Sequence, residues 1–590
     1  MSSPQHPTKA SLLERLPRTM AFPVLCAVLM TAPTMTAGLF MDDALTRAKL
    51  LGLESPWSPA PWWDLYTFGR EDLNAGLLAA GHHPWWADPE MKMTFFRPLS
   101  ALTHHLDYFL WPHSPALQHL HSVLWYGLTV VVAAVLFRRL HEGAQGRGVQ
   151  PVVAALAFAV ATPHIMTVGW LAGRNTLIAF VFGGVLIGAH LAWRQRGESR
   201  FALGAVFALI VGLLAGEAAL GALGYVAAWH VCIDRALWKE RLGALLPYGV
   251  VVAIWRWLYV RAGFGARWTS IYHDPSTDLL DFVRAEAMHL PVLLLGRWSP
   301  APLDFWSVVP PTAHITIVGV AVVLITALAA AMWPLLRDEP MARFWALGMV
   351  LSLLPFCATV PMDRLAFFGG LGSAGLLGLV AAKQPVGLGA WSKRVRVALL
   401  VFYLPVSALF GLGRAATLGM NFRPNTVGYE QDPSDARVPQ QTFVYVSGTF
   451  HRLHYTTLMR QADGLAAVPR RAVILTSMMT PSKITRVDED TLEIVPQGGF
   501  MALGLDRIHR RVERAFVSGQ TVELPDLSVE ILDVTPDGRP ARAAFHFKVP
   551  LEDPGLRWLA VVPGPGLFNF ETRPFALPAP GQSVSLDGGL

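Results

Sequence analysis

Apolar runs of about twenty residues recur through the first 413 positions, broken by charged or proline-rich stretches. That is the length needed to cross a hydrocarbon core as a helix. The first run, 21–40, ends at Asp42-Asp43 rather than at a small-residue cleavage pattern, so it reads as a retained anchor and not a removed signal. Further runs fall at 116–137, 151–172 and 176–193. The stretch 201–233 reads as two short or tilted helices turning near Glu217. Runs at 242–260, 312–336, 341–360, 365–382 and 395–412 complete a count of about eleven crossings.

After residue 413 the period changes. Alternating or β-branched runs at 442–446, 472–476, 491–495, 528–534, 543–549 and 558–562 are separated by Pro, Gly and Asp turns. The expected architecture is therefore an α-helical polytopic membrane protein over 1–413, followed by a β-sandwich-like soluble domain over 414–590. No tandem repeat or low-complexity tract interrupts it.

Composition agrees with that division. The 590-residue chain is 53% hydrophobic and only 15% charged, against roughly 25% charged in soluble domains. The net charge of +6 does not point to nucleic acid, because the basic residues sit in short loops between apolar runs. Arg15 and Arg18 precede the first run, Arg138-Arg139 follow the second, and Arg337, Lys383, Lys393, Arg394 and Arg396 mark later ends. The positive-inside rule then puts the amino terminus in the cytoplasm. The external segments 42–115 and 261–311 and the carboxyl-terminal domain fall on the opposite side. With the few cysteines, this fits a bacterial inner membrane and a periplasmic β-rich domain. The first external segment carries Trp57, Trp62, Trp63, Trp85, Trp86 and Trp111 among many prolines, the composition of a loop lying at the membrane interface. The three cysteines, all in apolar runs, exclude a disulfide framework and a cysteine-based zinc site.

Asp42 and Asp43 are the first candidates for chemistry. A carboxylate pair where the chain leaves the bilayer can act as a base on a polar substrate held beside the membrane. Adjacent residues at a helix end point about 100° apart, so one of the two is expected to face substrate. Glu217 lies within an apolar stretch, where an acid must be protonated, paired or set on a cavity. Among His82, His83, His104, His105, His113, His119 and His121, the pairs His104-His105 and His119/His121 lack a spacing that puts two ligands on one helical face. No HExxH occurs, and structural or interfacial roles are expected for them.

Five segments occur in order: LFMDDALTR (39–47), TFFRPL (94–99), WLAGR (170–174), LLAGEAAL (213–220) and VPMDRLAFFGG (360–370). Together they resemble the GT-C membrane glycosyltransferases, in particular bacterial relatives of the tetratricopeptide-bearing O-mannosyltransferase-like proteins. In that branch an acidic pair ends the first helix, F-x-R-P-L precedes the second, and W-x-x-G-R follows the third. The family's mid-chain K-E pair is Gly216-Glu217 here, its late segment keeps Arg364 without the tyrosines, and its span-two histidine motif survives as His119 alone. No tetratricopeptide repeats follow.

The resemblance implies inverting transfer of a sugar from a polyprenyl-phosphate donor to an extracytoplasmic glycan, lipid or protein acceptor. Asp42 or Asp43 would be the base, with Arg97, Arg174 and Arg364 as phosphate donors. His119 and Glu217 join the substrate-binding set. A divalent metal is a candidate cofactor, with no metal-binding residues assigned. Two other classes fit less of the pattern: a transporter or lipid flippase centred on Glu217, and a non-catalytic scaffold presenting the β-rich domain.

Overall fold

The computed structural model describes residues 18–141, 150–382, 390–427, 429–564 and 570–589. Arg15 and Lys383 lie outside them, as do the side chains of Arg18 and Lys393. Among the described residues, six helices are long and apolar enough to cross a membrane. They are Pro115–Leu140, Leu171–Arg196, Trp238–Arg261, Pro311–Asp338, Pro340–Ala358 and Arg394–Gly419. Four shorter apolar helices accompany them: Ala21–Thr36, Gln150–Ala159, Ser199–Ala215 and Gly369–Ala381.

The shortfall from eleven full-length spans comes from helix breakers. The run 151–172 is not one helix: Gln150–Ala159 stops short of Pro163, and the chain resumes as His164–Gly169 and a 3-10 turn, Leu171–Gly173. Proline removes a donor and disfavours helix at the residue before it. The first run also ends early, at Thr36 in a 3-10 turn containing Pro33, not at Phe40. The run 201–233 does divide where expected, at the extended Gly216, into Ser199–Ala215, the turn Glu217–Leu220 and Gly221–Cys232.

Burial separates central helices from peripheral ones. In Leu171–Arg196, 72% of the most apolar window is buried, and in Pro311–Asp338 only 11%. The second helix turns Ile315, Val323 and Trp333 outward. A helix apolar on its exposed face is at home in lipid, where its backbone bonds are already made internally.

Outside the bundle, the first external segment forms helices Asp43–Leu50, Glu71–Ala79 and Pro98–Leu110 with two short strands, β1 (Thr67–Gly69) and β2 (Lys92–Thr94). Strand β3 (Gly265–Arg267), from the second external segment, pairs antiparallel with β2, so one sheet joins the two segments.

The carboxyl-terminal region has ten strands: β4 (Thr442–Gly448), β5 (Arg471–Ser477), β6 (Ser482–Arg486), β7 (Thr491–Pro496), β8 (Thr521–Glu523), β9 (Leu527–Val534), β10 (Pro540–Phe547), β11 (Leu556–Pro563), β12 (Phe570–Pro574) and β13 (Ser583–Leu586). All six strand runs expected from sequence are present. Six strands form an antiparallel sheet in the order β13-β6-β7-β10-β9-β8, and four form a mixed sheet, β12-β11-β4-β5. The sandwich expectation needs correction here, because β4 runs parallel to both β11 and β5, and helix Phe450–Ala462 makes the crossover from β4 to β5. Strand β4 is buried along its whole length, as a central parallel strand should be. The boundary expected at 413 falls inside a helix, Ser407–Val427.

The two parts interlock. Trp85 and Trp86 are buried in the carboxyl-terminal region rather than at a membrane surface. Trp85 Nε1 donates to the Leu475 carbonyl at 3.0 Å, Trp86 Nε1 to that of Asp506 at 2.9 Å, and the Trp85 ring meets Phe500 and Phe545 edge-on. The preceding turn needs glycine: Gly81 has φ +77°, and a Cβ there would lie 2.1 Å from the Ala472 carbonyl oxygen of β5. Trp57 is buried too, whereas Trp62 and Trp63 stay exposed.

Candidate functional site

The five sequence segments meet beside the Asp43–Leu50 helix. Met41, just before the acidic pair, sits in the left-handed region at φ +52°, a conformation that costs a non-glycine residue on the order of 1 kcal/mol. Such strain, held by its surroundings, is found at working positions.

Asp43 turns into the protein. Its Oδ1 accepts from the backbone N–H of Ala172 at 2.9 Å and its Oδ2 from that of Phe40 at 3.3 Å. It therefore ties the end of the first run to the WLAGR segment. Burial pushes its carboxyl up to about 8, against the pull of those N–H groups.

Asp42 occupies the position before the helix, and its side chain caps no backbone N–H there. Its Oδ1 accepts from the Tyr455 hydroxyl at 3.1 Å. Burial raises its pKa, while the Arg364 guanidinium, the Tyr455 hydroxyl and the Arg97 guanidinium pull it back down. Tyr455 comes from the crossover helix of the carboxyl-terminal region and was not among the expected site residues. Nothing in its local sequence distinguishes it.

Arg97 stands at the start of helix Pro98–Leu110, between the rings of Tyr66 and Phe95. Its Nε donates to Glu217 Oε2 at 2.9 Å, and the Tyr259 hydroxyl donates to Glu217 Oε1 at 2.7 Å. Glu217 is thus paired, as an acid in an apolar stretch requires. Arg364 lies over the Trp170 ring, 4.7 Å from its centroid. Its Nε is buried and has no hydrogen-bond partner among the described residues. Asp42, Arg97, Glu217 and Arg364 thus form one charge cluster, in which Arg97 pairs with Glu217 and the Arg364 charge bears on Asp42.

Arg174 and His119 have other partners. Arg174 is fully buried, and it donates to Asp107 Oδ2 at 2.5 Å, Ser122 Oγ at 3.0 Å and the Gln118 carbonyl at 2.7 Å. Asp107 is closed from the other side by His121 Nδ1 at 2.6 Å. Arg174 thus forms a buried ion pair that ties helices Pro98–Leu110 and Pro115–His141 to the WLAGR segment. His119 Nε2 lies 2.7 Å from the Gly38 carbonyl, which it can only meet as a donor, so it secures the loop leading to Asp42.

Two cavities flank the Asp43–Leu50 helix. One, about 680 Å³, is lined by Lys49, Trp57, Trp62, Trp63, Arg70 and Phe264, among others. The other, about 610 Å³, is lined by Arg47, Tyr108, His113, Gln118, Tyr429 and Asp463, among others. Arg47 and Lys49 are two positions apart, roughly 200° around a helix, so they face opposite sides. Asp42, Arg97, Glu217 and Arg364 are not in the lining of either cavity.

Fold and site define a helical membrane protein whose sheet-rich domain reaches a hydroxyl into an acidic and basic cluster at the bundle's end. No family model matches the chain, and no curated protein matches it. The crystal structure of ArnT from Cupriavidus metallidurans bound to undecaprenyl phosphate is similar at 15% identity, over 79% of this chain and 90% of that one, with a TM-score of 0.37. At that similarity neither the fold nor the activity of the solved protein passes to this one, and the site is read from its own residues.

Proposed function

We propose that the protein is a membrane glycosyltransferase of the GT-C kind, moving a sugar from a polyprenyl-phosphate donor to an extracytoplasmic glycan, lipid or protein. One observation carries the reading: the five ordered segments, far apart in sequence, contact one another. Asp43 bonds the backbone of WLAGR, Arg97 of FFRPL bonds Glu217, and Arg364 covers the WLAGR tryptophan. A scaffold has no need of this convergence.

In this reading Asp42 is the general base. It takes the proton of the acceptor hydroxyl as that oxygen bonds the anomeric carbon, while the bond from that carbon to the phosphate oxygen breaks on the opposite face. Burial raises the Asp42 pKa and so strengthens it as a base, and the neighbouring Arg364 and Arg97 guanidiniums and the Tyr455 hydroxyl oppose that rise. The departing lipid phosphate gathers negative charge. Arg364, with an open Nε and a planar fork, is the donor for it. Arg97 aligns the cluster through Glu217, and the exposed Trp62 and Trp63 rings of the larger cavity offer stacking faces for sugar. The acidic pair, both external segments and the sheet-rich domain lie on the periplasmic side of a bacterial inner membrane, with the amino terminus cytoplasmic.

The test is to purify the chain and supply a panel of polyprenyl-phosphate sugars. Release of the polyprenyl phosphate with transfer or hydrolysis of one sugar supports the proposal. Inertness toward the whole panel, with protein shown to be folded, contradicts it.

A further inference from the structure

Three histidines outside the charge cluster meet where the first external segment docks on the sheet-rich domain. His83 follows the Gly81 turn, His454 lies on helix Phe450–Ala462, and His509 follows the 3-10 turn Leu505–Arg507. All three are buried, and each offers a ligand atom within 4.8 Å of the other two. Ring centroids are 5.4 Å apart for His83 and His454, 5.0 Å for His83 and His509, and 4.9 Å for His454 and His509.

The tautomer of His83 follows from its partner. Its Nε2 is 3.3 Å from the Phe68 carbonyl oxygen, which can only accept, so Nε2 carries the proton and Nδ1 keeps its lone pair. Nδ1 is buried and has no hydrogen-bond partner among the described residues. An imidazole held by a carbonyl at one nitrogen and open at the other is the usual setting of a metal ligand.

The spacing fits a small transition-metal ion. Tetrahedral bonds of about 2.0–2.1 Å set ligand nitrogens roughly 3.3–3.4 Å apart, and His454 Nε2 lies 3.3 Å from His509 Nε2. A hydrogen bond between those two rings explains that distance alone. It does not explain a third buried imidazole beside them, with a ring nitrogen within 4.8 Å of theirs and an unpartnered Nδ1. Three imidazoles without a carboxylate favour zinc or a similar ion over calcium or magnesium.

We propose that His83, His454 and His509 form a three-histidine site for zinc or a similar divalent transition-metal ion, stapling the first external segment to the sheet-rich domain. The site stands independently of the transferase reading. Tyr455 is the next residue after His454, so the ion also fixes the helix that supplies the hydroxyl at Asp42.

The test uses the full chain, purified in detergent with Zn2+ present, without a polyhistidine tag, and washed free of unbound ion. Elemental analysis should find about one Zn2+ per chain, falling to about a tenth of that in the His83→Asn, His509→Asn double variant. Added Zn2+ should raise the thermal midpoint of the wild type, and Co2+ should give it the visible absorption of a tetrahedral site. A wild type that retains no Zn2+ and whose midpoint does not respond overturns the proposal. So does equal retention by the variant. If the variant does not fold, the three wild-type measurements decide.

Discussion

Asp42 and Asp43 are neighbours of the same residue type, yet they belong to different kinds of site. Asp43 is closed: backbone N–H groups meet both of its oxygens. Arg174 and Asp107 repeat that closure nearby, with three acceptors around one guanidinium. Asp42 and Arg364 are open by comparison. Asp42 has one hydroxyl from another part of the chain, and Arg364 has an aromatic face and an unused Nε. Charged groups with internal partners hold a fold together. Those whose charges are incompletely answered are available to a ligand, at a cost the surrounding structure must cover.

The contrast can be broken from its closed side first. Arg174→Ala leaves Asp107 buried without its guanidinium, a loss of about 3–5 kcal/mol. The expected outcome is little folded protein or a sharply lowered thermal midpoint in detergent. A variant of wild-type midpoint with lost transfer would move Arg174 to the working side. Arg364→Gln should do the reverse, keeping the midpoint while transfer falls about 10²-fold through loss of phosphate stabilisation.

Smaller effects sharpen the distinction. Tyr455→Phe removes one hydrogen bond to a carboxylate, worth about 1.5 kcal/mol or roughly tenfold in rate. That bond holds the Asp42 pKa down. Without it the acid limb of the pH–rate profile should move to higher pH, whereas a merely structural tyrosine would leave the limb in place. Asp43 gives a signal in the pH dependence of stability and not in rate. With its folded pKa raised to about 8, the folded state holds the proton through a window where the unfolded chain, near 3.9, has lost it. Stability from this group is fully present below about 4 and is lost as pH rises through about 8. Asp43→Asn should flatten that decline, as read from thermal midpoints across the same range.

Much of this was legible in the chain because it depends on local patterns. Run length marked the long helices, and the β-branched runs marked six strands of the sheet-rich domain. Pro163 and Pro33 were visible as letters, but how far each would shorten a helix depends on what packs against the break. The site's charged residues were identifiable by type and order. Their division into open and closed was not, because it depends on partners far away in sequence. Tyr455 reaches Asp42, and His454 and His509 reach His83, from beyond the membrane helices. Trp85 and Trp86 show the same limit: their composition matches an interfacial loop, and only the docking of Gly81 on β5 reveals them as core.

The most direct measurement compares Asp42→Asn with Asp43→Asn in a transfer assay, counted per folded molecule with the polyprenyl-phosphate sugar that the wild type accepts. Asp42→Asn should retain its midpoint and lose transfer by about 10²–10⁴-fold, while folded Asp43→Asn keeps most of its activity. Undiminished transfer by Asp42→Asn, or loss confined to Asp43→Asn, would contradict the account.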